Sequence, residues 1–138
     1  MIPIENQVVD LGLSKKLKEA GYKQEGVWWW QWEMEHYVMG GVNKTPEGMP
    51  YLVNNKPPFA FPFEGVVAPT VAELGEALKE FINDYTYDVV DYTYDVNEKC
   101  WVCSKYREQF DDWEHCLDKT EANARAKMWL YLKKEGLI

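Results

Sequence analysis

Cys100, Cys103, His115 and Cys116 are the residue types that hold zinc, and four nitrogen or sulfur ligands are what a tetrahedral site needs. Their spacing works against convergence. The Cys100-Trp101-Val102-Cys103 run has strand composition, and successive side chains of a strand point to opposite faces, so Cys100 diverges from Cys103 and His115 from Cys116. No metal is therefore expected, with these four residues as the weak alternative. A thioredoxin-like pair would need its Cys-x-x-Cys at a helix start after a strand, which is not the setting here. For acid/base work the chain offers His36 and His115 with Glu33, Glu35, Asp111, Asp112 and Glu114 near them in sequence, at no spacing diagnostic of a dyad. It has no Gly-rich phosphate loop, nucleophile elbow or His-Glu-x-x-His motif. The expectation is a protein that is not an enzyme and uses no cofactor.

The remaining chemistry is that of aromatic rings interleaved with cations: Trp29, Tyr37, Lys44, Lys56, Trp101, Lys105, Tyr106, Arg107 and Arg125, with Lys127 beside them. Rings can hold a planar base while Arg or Lys holds a phosphate. A protein interface uses the same residues. The densest aromatic stretch is Val27 to Met34, where four tryptophans fall within five residues. As a strand, this run places Trp28, Trp30, Trp32 and Met34 on one face and Val27, Trp29, Gln31 and Glu33 on the other. The first set is expected in the core. Trp29, beside Gln31 and Glu33, is the expected exposed stacking platform, so that Trp29→Ala should weaken binding and spare folding.

The elements that must position these residues follow from local signals. Asp10 can cap a helix through LGLSKKLKEA that stops at Gly21, with Leu13, Leu17 and Ala20 on its buried stripe. His36 to Met39 reads as a return strand after the tryptophan run. Residues 42–64 hold five of the seven prolines and read as a long loop, with at most a short strand at Tyr51 to Val53. Its Phe59, Phe61 and Phe63 suit a loop that folds over the sheet or a partner. Thr70 and Glu73 make a capping box for a helix at about residues 71–83. Tyr-Thr-Tyr-Asp-Val occurs at 85–89 and again at 92–96, the second copy leading into a strand. Lys99 to Tyr106 reads as a strand, and REQFDDWEHCL as a hairpin loop or edge strand. Thr120 caps a final helix closed by Gly136, with Ala122, Ala126, Trp129 and Leu132 near one stripe that Met128 and Leu130 widen. The expected fold is one α+β domain over residues 1–138: an antiparallel sheet of about four or five strands with three helices, in the order α-β-β-(long loop)-α-β-β-α.

A chain of 138 residues is long enough to bury about two-thirds of the surface its unfolded form exposes. Its 15% aromatic content is high for a globular protein. A net charge of -8 repels nucleic-acid backbones and anionic membranes, which argues against extended polyanions as partners while leaving room for a local cationic pocket. An acidic mimic of DNA would need its carboxylates clustered on one face. Three cysteines suit reduced thiols, and the N-terminal MIPIENQVVD has neither the basic start nor the apolar run of a signal peptide. No apolar stretch is long enough for a membrane helix. A cytoplasmic protein is expected.

The segments LSKKLKEAGYKQEG at 13–26, PTVAELGEAL at 69–78 and TEANARAKMWLYLKKEGLI at 120–138 together resemble a family of small uncharacterised proteins carried by bacteriophages and prophages. The resemblance covers about a third of the chain and rests on caps and helix faces. It carries no active-site residues across. It implies a phage accessory protein in the bacterial host cytoplasm that acts by binding, either sequestering a small nucleotide-like immune signal or inhibiting a host protein. A structural or housekeeping phage component is a further alternative, and homo-oligomerisation is left open.

Overall fold

Asp10 accepts a hydrogen bond from the Leu13 backbone N–H at 2.8 Å, starting helix α1, Leu11–Glu19. The chain leaves α1 at Gly21, whose φ of 96° is one that glycine enters without steric cost. Thr70 and Glu73 form the capping box of α2, Val71–Asn83: each backbone N–H donates to the other's side-chain oxygen at 3.1 Å. Thr120 caps α3, Glu121–Lys134, through the Asn123 N–H. That helix closes as the Leu137 N–H reaches back to the Leu132 carbonyl at 2.9 Å with Gly136 at φ 72°, a Schellman arrangement. All three helices stand where the local signals place them.

The computed structural model describes residues 2–33, 36–38, 41–43, 50–54, 63–83, 90–95 and 99–138. Strand β1, Trp28–Glu33, has two later strands as antiparallel neighbours. They are separated from it by a short hairpin of β2, His36–Val38, and β3, Gly41–Asn43. The neighbours are β4, Tyr51–Asn54, and β5, Phe63–Val67, in the order β4-β1-β5. After α2, strands β6, Val90–Asp95, β7, Cys100–Arg107, and β8, Asp112–Asp118, form an antiparallel sheet in chain order.

The fold is thus α+β with three helices and antiparallel pairing, but among the described residues the strands divide into two three-stranded sheets and one hairpin. The expected return strand at His36 pairs with β3 instead of β1. The expected loop at 42–64 supplies β4 and leads into β5, whose Val66 and Val67 are buried. Residues 84–89, with the first Tyr-Thr-Tyr-Asp-Val copy, lie outside the described residues, as do Phe59 and Phe61. The second copy falls mostly in β6.

The faces of β1 also differ from expectation. Trp29 is 2% exposed and Gln31 is 7% exposed, whereas Val27 before the strand is 50% exposed, so the middle of the face assigned to solvent is buried. Gln31 stands opposite Gly65 of β5, where the missing side chain leaves room. The other face is covered as well: Trp32 is buried, and the Trp30 indole donates to the Val9 carbonyl at 2.8 Å. Lys15 of α1 lies over the Trp32 ring, 4.7 Å from its centroid. A central strand with both faces covered has no exposed stacking platform to offer. That corrects the placement of Trp29, whose indole donates to the Gly26 carbonyl.

Helix α3 is the hub. It packs on β7 and β8 and against α1 and α2. Ala122, Ala124, Ala126, Met128, Trp129 and Leu132 are all buried, the expected stripe widened by Met128 as expected and by Ala124 in addition. Arg125 fastens α3 to α2: it donates to the Val71 carbonyl at 2.8 Å and to Glu121 at 2.6 Å. Its guanidinium passes where Gly75 has no side chain, since a Cβ there would stand 2.4 Å from Nη1. Gly75→Ala should therefore dislodge this clasp, and its cost of about 1–3 kcal/mol less the roughly 1 kcal/mol that Ala gains over Gly inside a helix leaves a net loss of up to about 2 kcal/mol, measured as a lower urea midpoint. A raised midpoint would show that Arg125 moves aside freely.

Candidate functional site

Three consecutive residues singled out by composition, Lys105, Tyr106 and Arg107, end β7. The pleat sends Lys105 and Arg107 toward α3 and Tyr106 to the opposite face. Lys105 is 2% exposed, unusual for a residue that is almost never fully buried. With Arg107 it lines a cavity of about 150 Å³. Gln109 and Phe110 from the β7–β8 turn form one wall, and Tyr131, Glu135 and Leu137 from the end of α3 form the other.

Arg107 is the organising charge. Its Nη2 donates to Asp112 Oδ2 at 2.7 Å, and its Nη1 lies 3.7 Å from Glu114 Oε2. The guanidinium carbon sits 5.0 Å from the Phe110 ring centroid, within cation–π range. The hydrogen bond to Asp112, opposed by desolvation and aided by one to Tyr131, holds the guanidinium above its ordinary pKa. In return the Trp113 backbone N–H and then Arg107 hold the Asp112 carboxyl below the usual carboxylate range. Burial lifts the Tyr131 phenol against the pull of Arg107. The turn itself is fixed by Asp111, which takes a φ of 47° and accepts a hydrogen bond from the Tyr106 hydroxyl.

The other candidates lie apart from this cavity. Trp101 sits near the opposite end of β7, about 13 Å from Lys105 and about 20 Å from Arg107 at strand rise, in an edge contact with Tyr94 at 5.4 Å. Arg125 is engaged in the α2–α3 clasp, and Lys127 bonds Asp118 and the Leu117 carbonyl. Tyr37 lies in β2, but its side chain, Lys44 and Lys56 fall outside the described residues. Phe110 and Tyr131 were missed from sequence. The signal for Phe110 was a lone Phe at a hairpin turn; Tyr131 had none, being one apolar position of a buried helix.

Across β7 and β8, Cys103 pairs directly with Cys116 and Ser104 with His115. Cys103 and Cys116 pack toward α3, whereas Ser104 and His115 face the other way. The metal alternative of Cys100, Cys103, His115 and Cys116 is therefore split between two faces. No group of three or more His, Cys, Asp or Glu among the described residues could hold a metal ion. Burial first, then Glu114, pushes the Cys116 thiol up to about 11, with Lys127 opposing. Alkylation of Cys116 by iodoacetamide, followed by peptide mass spectrometry, should therefore keep accelerating until pH is near 11. A rate midpoint near the free-thiol value of about 8.5 would contradict that burial.

Ser104 Oγ and His115 Nδ1 are 2.6 Å apart, the contact of a nucleophile with a base. Ser104 is 7% exposed and lies mid-way along the central strand, where backbone N–H groups serve the ladders to β6 and β8. The pair bonds the two strands across their register, Ser104 standing directly opposite His115. Three comparisons, with protein-family models, curated proteins and solved structures, find no match. The residues themselves carry the functional argument.

Proposed function

We propose that this chain is a non-enzymatic phage accessory protein that acts in the bacterial host cytoplasm by sequestering a small nucleotide-derived signal. The observation that carries the reading is the convergence of buried Lys105, half-buried Arg107 and Tyr131, and exposed Phe110 on one cavity. Lys105 and Arg107 supply donors for a phosphate or carboxylate, and Phe110 and Tyr131 supply walls for a flat ring. At about 150 Å³ the cavity is below the roughly 300–1,000 Å³ typical of whole-ligand pockets. It grips one part of the ligand, a ring or an anionic group, and leaves the rest outside. Asp112 and Glu114 already share Arg107, so the ligand must displace or accommodate that exposed pairing. The phage setting rests on the likeness of the three segments quoted above, and no helix among the described residues is long and apolar enough to cross a membrane.

The test is a thermal-shift series with nucleotide signals on the parent protein and on Phe110→Ala and Arg107→Ala. A ligand at 100 times its dissociation constant adds about 2.7 kcal/mol, a shift that should shrink or vanish in both variants. No shift with any nucleotide, or equal shifts in all three proteins, would overturn the reading.

A second reading, inhibition of a host protein, is favoured by the face of the β6-β7-β8 sheet that turns away from α3. Trp113 is 40% and Leu117 is 38% exposed there, and the Tyr106 ring meets Trp113 at a tilt of 60°, centroids 5.3 Å apart. Exposed Trp and Tyr are the residues that anchor interfaces. Capture of a host protein that is lost in Trp113→Ala and kept in Phe110→Ala would favour this reading over the first.

A further inference from the structure

A groove of about 640 Å³ runs along the outside of α2, on residues that the Lys105 cavity does not use. Its floor is apolar. Tyr22, in the connection after α1, and Trp129 of α3 meet edge to face, ring centroids 5.1 Å apart and planes at 77°. Ala72 and Ala77 of α2 continue that floor and, being small, keep it open. Trp129 is 9% exposed, so the corner offers the groove chiefly the half-buried Tyr22 ring, whose π face carries negative potential.

The rim carries the same sign. Glu25, Glu73 and Glu76 line the groove against the single cation Lys23. Glu73 is the rigid member. Its Oε1 accepts the Thr70 N–H at 3.1 Å, and its Oε2 lies so close to Gly26 that a Cβ there would stand 2.8 Å away. The capping box holds one carboxylate oxygen of Glu73 in place, and the absent side chain of Gly26 leaves room for the other. Glu25 and Glu76 form solvent-exposed pairs with Lys23 and Lys79, and such pairs exchange partners at little cost. Burial, and then the Glu73 charge, push the Tyr22 phenol up to about 12, so the floor already resists gaining negative charge.

We infer that this groove binds a small organic ammonium ion, its cationic head in the Tyr22–Trp129 corner beside Glu73 and its apolar body along Ala72 and Ala77. An aromatic corner with an adjacent fixed carboxylate recognises a weakly hydrated cation by its charge and its methyl surface together. The carboxylate rim repels anions, so the ligand class is opposite in charge to the one assigned to the Lys105 cavity. The volume falls within the roughly 300–1,000 Å³ range of sites for whole small molecules.

The experiment is calorimetric titration of the full chain with choline, with its neutral isostere 3,3-dimethylbutan-1-ol and with benzoate. Choline should bind saturably, the isostere at least about tenfold more weakly, and benzoate not at all. Glu73→Gln keeps the capping box, which accepts Gln as well as Glu, and removes the charge; Glu76→Gln changes an exposed position. Each should weaken choline binding by about threefold or more with the melting temperature nearly unchanged. The assignment is overturned if choline does not saturate, if the isostere binds as well, or if neither Gln variant changes the affinity. Binding of an Lys-rich peptide with no binding of choline would replace the small-molecule ligand with a protein one.

Discussion

Trp29→Ala should be among the most damaging single substitutions in the protein, lowering stability by about 3–5 kcal/mol. The indole is 2% exposed, lies on the central strand of its sheet, and has its N–H satisfied by the Gly26 carbonyl at 3.1 Å. Removing it leaves a large cavity and an unpaired carbonyl at the entry to β1. Trp28, at an intermediate exposure next to it, should cost less, because part of its surface is already in water. Urea unfolding of the two alanine variants checks the order. A nearly intact Trp29→Ala protein would restore the exposed placement that strand alternation alone suggests.

Asn123→Leu is the second severe case, with an expected loss of about 3 kcal/mol. The Asn123 side chain joins two segments 113 residues apart in sequence: its Oδ1 accepts the Asp10 N–H at 2.9 Å and its Nδ2 donates to Asp10 Oδ2 at 3.1 Å. The same Nδ2 donates to Asp118 Oδ1 at 3.2 Å. Leucine has a similar shape and none of these bonds, so the Asp10 backbone N–H and the Asp10 and Asp118 carboxylates each lose one partner together, while the carboxylates keep their bonds from Leu13, Lys127 and Thr120. Burial pushes the Asp118 carboxyl up, but hydrogen bonds from Lys127, Asn123 and the Thr120 backbone outweigh it and hold the carboxyl below its ordinary value. A lowered carboxyl stabilises the fold above its unfolded pKa of about 3.9 and loses that contribution as pH falls through the folded value. The gap between parent and Asn123→Leu should therefore be widest near neutrality and narrow in acid. A gap that is constant down to about pH 2 would remove Asp118 from the account.

Local chemistry was legible in the sequence and long-range pairing was not. Asp10, Thr70, Thr120, Gly21 and Gly136 act on backbone groups a few residues away, so their types and spacing suffice to locate the helix ends. The partners of β1 begin at Tyr51 and Phe63, and no residue within the tryptophan run names them. The side chains of that run mislead further, because both alternating sets contain Trp and the polar neighbour Gln31 is itself buried opposite Gly65. Of the candidate site, the sequence marked Lys105 and Arg107 as cations among aromatics. It did not show that α3 would bury Lys105, since that depends on a helix sixteen or more positions downstream.

The central position of α3 also sets the order of assembly. During synthesis α1, α2 and β7 all emerge before the helix that joins them, so their apolar faces wait uncovered until residues 121–134 have been made. Contacts that span most of the chain close late and slow folding. The nascent protein should thus depend on chaperones until that helix docks and then consolidate in one cooperative step.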